Sequence, residues 1–88
     1  MKQIYPIAPI DRYVIHYILS LRKEYRLTQA GVADLLIVDR GFISNVENPY
    51  YRAKYNLQHI NTLAFYWDLS PRDFLPKKSF DPDKIIHF

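Results

Sequence analysis

Arg40, Gly41, Ser44 and Asn45 fall together between two turn signals, Asp39 before them and Pro49 after them. At helical spacing these four share one face, while Ile43 and Val46 share the opposite one. A guanidinium, a hydroxyl and a carboxamide on one face can donate and accept hydrogen bonds along the edges of a planar partner such as a base pair. No grouping has the makings of a metal or catalytic site. His16, His59 and His87 are far apart and lack the His-x-x-x-His spacing of a metal site. Cysteine is absent, so disulfides, thiolate catalysis and cysteine-based zinc sites are excluded. No Ser-His-Asp grouping, glycine-rich phosphate loop or paired carboxylates stand out. The expectation is a chain that binds rather than catalyses, with no metal and no cofactor.

A second cluster follows. Tyr50, Tyr51 and Tyr55 interleave with Arg52 and Lys54. One reading is a stacking platform for single-stranded nucleic acid. The other is that the rings pack over their own loop with a hydroxyl or two on the backbone, and it has the stronger physical basis.

The elements that must position these residues read as all-α, about five short helices and no strand. Residues 1–10, with Pro6 and Pro9, read as an extended arm. Asp11 is the expected N-cap of a first helix running to Tyr25, with Val14, Ile18, Leu21 and Tyr25 on its inner face. Thr28 caps a second helix from Gln29 to about Leu36, burying Val32, Ala33 and Leu36. Asp39 is the expected cap of a third, Arg40 to about Glu47. Asn56 caps a fourth, Leu57 to about Trp67. Ser70-Pro71 opens a short last helix stopped by Pro76. Residues 11–76 form the domain, and 77–88 a tail.

Two short helices at 29–36 and 40–47 joined by a tight turn have the spacing of a helix-turn-helix. Ala33 is small enough for a close crossing, and Val32, Leu36, Val38, Ile43 and Val46 set its angle. The outer face of the second helix stays free for a major groove. Several segments carry a resemblance to the Cro/C1-type (lambda-repressor-like) helix-turn-helix family. They are Leu21-Arg22, Leu27-Thr28-Gln29, Val32-Ala33, Phe42 through Asn48, and Leu63-Ala64 with Trp67 through Pro71. The motif spans about Thr28 to Asn48.

The resemblance implies a sequence-specific, double-stranded DNA-binding regulator, acting as a homodimer. It implies base contacts from Arg40, Gly41, Ser44 and Asn45, with Arg40 toward guanine and Asn45 toward adenine. It implies backbone contacts from Thr28, Gln29, Arg52 and Lys54, and a structural salt bridge between Arg22 and Glu47. From its helical position Phe42 is expected to pack in part and, if half-exposed, to reach a thymine methyl. Ile37 stands where the family has a turn glycine, so the turn is either built differently or strained. Asp68 replaces the glycine after the fourth helix.

A net charge of +3 suits a polyanionic partner without demanding one. No apolar run approaches the roughly 20 residues that span a bilayer, and the first residues lack the apolar core of a signal peptide. The expected setting is cytoplasmic, away from membranes. The alternative function is a protein-binding adaptor or antitoxin component on the same fold. Its partner would meet the tail, whose apolar end is Ile85-Ile86-His87-Phe88. Trp67 and Phe74 read as helical core positions, and the expected dimer surface is the last helix, with Phe74 and Leu75, or that tail with Phe80.

Overall fold

The computed structural model describes residues 4–84. Four α-helices follow one another: α1 (Pro9–Glu24), α2 (Gln29–Leu36), α3 (Arg40–Val46) and α4 (Leu57–Tyr66). No strand forms among the described residues. The expected fifth helix is a single 3-10 turn, Pro71–Phe74. Pro76 leaves too few residues after Pro71 to nucleate an α-helix. Ser70 and Asp73 close that turn with reciprocal hydrogen bonds.

The arm is shorter than its prolines suggested. α1 starts at Pro9, a first-turn position where a missing N–H is harmless. Ala8, not Asp11, is the cap, and it makes no side-chain bond. Asp11 lies inside the first turn. Ile7 is buried in the core, and the Tyr5 N–H donates to the Pro49 carbonyl at 2.7 Å, so this segment packs along the loop after α3.

The core is built from one stripe of each helix. Ile18 of α1, Val32 of α2, Ile43 of α3 and Leu63 of α4 are fully buried, and Phe74 closes the base. Trp67 stacks parallel on Phe74 at 6.4 Å and meets Tyr25 edge-on at 5.3 Å. Phe74 is therefore a core residue and not a dimer surface.

α1, α2 and α4 all stop in the same way. Arg26, Ile37 and Asp68 each adopt a left-handed backbone, with φ of 58°, 56° and 56°. The N–H of the next residue then bonds back over the final turn: Leu27 to Arg22 at 2.9 Å, Val38 to Ala33 at 3.0 Å and Leu69 to Ala64 at 2.9 Å. Leu27, Val38 and Leu69 fold onto the core, which completes the motif. Glycine usually occupies the left-handed position, and none of the three is glycine. Ile37 is the severe case. Its branched Cβ crowds the backbone, at a cost of about 1–2 kcal/mol, and its side chain is 91% exposed, so it recovers nothing by burial. Of the two turns left open by the sequence, the strained one is present.

Candidate nucleic-acid interface

Position on α3 separates the residues into two sets. Ile43 and Val46 are buried, Arg40 and Gly41 are exposed, and Ser44 and Asn45 are half-buried at the edge. A Cβ built on Gly41 meets nothing within 4 Å. The chain itself therefore does not need glycine there, and the bare backbone is presented to whatever approaches. Asp39 holds the N-cap position of α3 but accepts no hydrogen bond with its side chain.

Two clamps hold α3 in place. The first is polar. Arg22 donates from Nε to Glu47 Oε2 and from Nη2 to Oε1, both at 2.8 Å, and from Nη1 to the Leu27 carbonyl at 3.0 Å. Gln29 Nε2 donates to the same Oε1 at 2.9 Å. The two charged side chains are only 13% and 8% exposed. A fork-on-fork pair with the spare donors used is the geometry in which a desolvated ion pair is tolerated. It ties α1, the start of α2 and the end of α3 into one body. Arg22 and Glu47 thus meet directly. Gln29 is in their network, with its amide N–H turned to Glu47 rather than outward.

The second clamp is aromatic. The Phe42 ring lies 5.2 Å from His59 and 6.2 Å from Tyr55, and Tyr55 is 5.9 Å from His59. Phe42 packs against both rings and is half-buried. Tyr55 is buried, so the single-strand stacking platform loses its third ring. Its hydroxyl has no hydrogen-bond partner among the described residues. Burial, and then the Glu47 carboxylate, push that phenol above its ordinary range. His59 Nδ1 accepts from the Asn56 N–H at 3.1 Å, and the Asn56 side chain accepts from the His59 N–H at 2.9 Å. This is a capping box with histidine in the usual glutamate position. Burial lowers the His59 pKa. Neither Tyr55 nor His59 stood out as a positioning residue in the sequence. The signal available was Asn56 with a side-chain acceptor three residues on.

Thr28 Oγ1 accepts from the Gly31 N–H at 3.0 Å, which leaves its own hydroxyl proton to donate. Arg52 and Lys54 both turn toward the amino-terminal segment. The Arg52 guanidinium sits 4.7 Å over the Tyr5 ring, and Lys54 Nζ is 3.3 Å from Asp11 Oδ2. Tyr50 and Tyr51 remain exposed on the same loop.

Of the tail, Phe80 rests 6.2 Å from Tyr13 of α1. Ile85 to Phe88, named above as a possible partner-binding end, lie outside the described residues. No group of three or more His, Asp or Glu suited to a metal occurs among the described residues. None of their helices is long and apolar enough to cross a membrane. Compared with protein-family models, curated proteins and solved structures, the chain matches nothing.

Proposed function

We propose that this chain is a sequence-specific regulator that binds duplex DNA as a homodimer, a lambda-repressor-like domain of the Cro/C1 type. The observation that carries the reading is the division of α3. Its inner face is held from both sides, while Arg40 and Gly41 are exposed and Ser44 and Asn45 lie half-buried at the edge of the outer face. A rigid helix with a free polar face is what direct readout requires.

In this reading Arg40 donates a bidentate pair to guanine, and Asn45 pairs with an adenine edge. Ser44 adds a hydroxyl, and Gly41 lets the backbone come close to the base step. Thr28 and the start of α2 meet a phosphate, with Gln29 positioned through Glu47. Arg52 reaches a flanking phosphate by leaving the face of Tyr5. An exposed contact of this kind is worth little, so exchanging it costs little.

Selection from a randomised duplex pool tests the proposal. The expected product is an inverted repeat with half-sites about one helical turn apart. Arg40→Ala is expected to weaken binding to that site by about 1–3 kcal/mol and to relax preference at one base. A steep salt dependence with no enriched sequence would reduce the protein to a general phosphate binder. Absence of binding at low salt would reject the reading.

A further inference from the structure

Beside the loop that joins α3 to α4 lies an apolar groove of about 390 Å³. Val14, Tyr55 and Ile60, all buried, form its floor, and Ile10, Leu57 and Leu75, all exposed, form its rim. Leu57 is 78% exposed at the first position of α4, a large aliphatic knob standing next to an apolar hole. Among the described residues the only charges on the rim are one carboxylate and one ammonium, Asp11 and Lys54, 3.3 Å apart.

We propose that this groove is the docking face for a second copy of the chain, with Leu57 of each copy entering the groove of the other. A two-fold interface must be self-complementary, so that each feature meets its counterpart on the rotated partner. A knob beside a hole satisfies this for shape. An acid beside a base satisfies it for charge, because Asp11 and Lys54 exchange their internal partner for the opposite group across the axis. Tyr55 links the face to the proposed readout: it floors the groove and packs on Phe42 of α3. Docking there orients the two recognition helices through one shared ring. The inference deepens the DNA-binding reading and rests on it for its use, although dimerisation itself is tested without DNA.

Sedimentation equilibrium of the full chain is the test. Wild type is expected to dimerise, and Leu57→Asp to raise the dissociation constant by about tenfold or more. Phe65→Asp is the control, since Phe65 is equally exposed on the same helix but does not line the groove. It is expected to leave dimerisation unchanged. Asp11→Lys and Lys54→Asp are each expected to weaken the dimer, and an equimolar mixture of the two to restore it as a heterotypic pair. Recovery on mixing requires contact across the axis, which an internal ion pair cannot produce.

A wild type that stays monomeric overturns the proposal. So does loss of the dimer in Phe65→Asp but not in Leu57→Asp, or failure of the mixture to recover while each variant keeps its helical circular dichroism. A dimer that selects no operator would sink the DNA reading and leave this one standing. Operator binding by a monomer would do the reverse.

Discussion

The two clamps on α3 hold the same helix by opposite physics. On the Arg22–Glu47–Gln29 side every strong donor reaching the carboxylate is matched, and three separate elements converge on one residue. On the Phe42–Tyr55–His59 side the contacts are dispersive, one buried hydroxyl is unmatched, and the capping acceptor is a titratable ring. The polar side is all-or-none, because removing one charge strands the other. The aromatic side degrades in steps, because rings can repack and a histidine can change charge. Helix α3 therefore has a rigid anchor at its carboxyl end and an adjustable one on its flank.

The largest effect is expected at the polar clamp. Glu47→Ala leaves Arg22 and the Gln29 amide without their acceptor, and should cost about 3–5 kcal/mol in urea unfolding. A loss under 1 kcal/mol would mean that the pair is solvated and that the contrast between the clamps is false. Next in size is Ile37→Gly, which touches neither clamp. It removes a left-handed β-branched residue that buries nothing, and the gain should be about 1 kcal/mol, after the entropy cost of glycine. The same gain in wild type and in a Glu47 variant would show that the turn and the clamp are independent.

Tyr55→Phe should stabilise by up to about 1 kcal/mol, since a buried hydroxyl without a partner is deleted while the ring stays. Destabilisation would reveal a partner for that oxygen and make the aromatic side more polar than it looks. The smallest effect is pH-dependent. Burial lowers the His59 pKa from its ordinary 6.5, so the unfolded chain binds the proton more readily than the folded one. The stability that neutral His59 contributes is complete above about pH 6.5 and is lost as pH falls through the lower folded value. The His16 pKa is also lowered, by burial and then by Arg12, and acts in the same direction. The His59 share is the part of the pH slope that disappears in His59→Asn, measured by chemical denaturation between pH 7.5 and 5 (about the range a histidine spans).

The apolar periodicity and the Thr28 and Asn56 caps were enough to place α2, α3 and α4 to within a residue or so, because these signals are local. The same period puts Arg40, Gly41, Ser44 and Asn45 on one face, of which Arg40 and Gly41 are exposed and Ser44 and Asn45 half-buried. The start of α1 was missed for a local reason as well. Pro9 reads as a breaker, yet proline in a first turn is a starter. Arg26 could not be seen at all, since nothing in its side chain announces a left-handed backbone. That conformation is imposed by Leu27, which must reach the core.

From residues alone came the all-α class, the two short helices with their tight turn, and the polar face that one of them turns outward. Each depends on spacing within a dozen residues, which chain order already specifies. Only the tertiary structure decided which side chains meet. Gln29 turns inward to Glu47, Tyr55 leaves its loop for the core, and Leu57 is left standing beside an apolar groove. Those outcomes depend on contacts between residues far apart in the chain. The competition there is between burial, unmatched polar atoms and backbone strain, and it is settled only when all the helices are packed together.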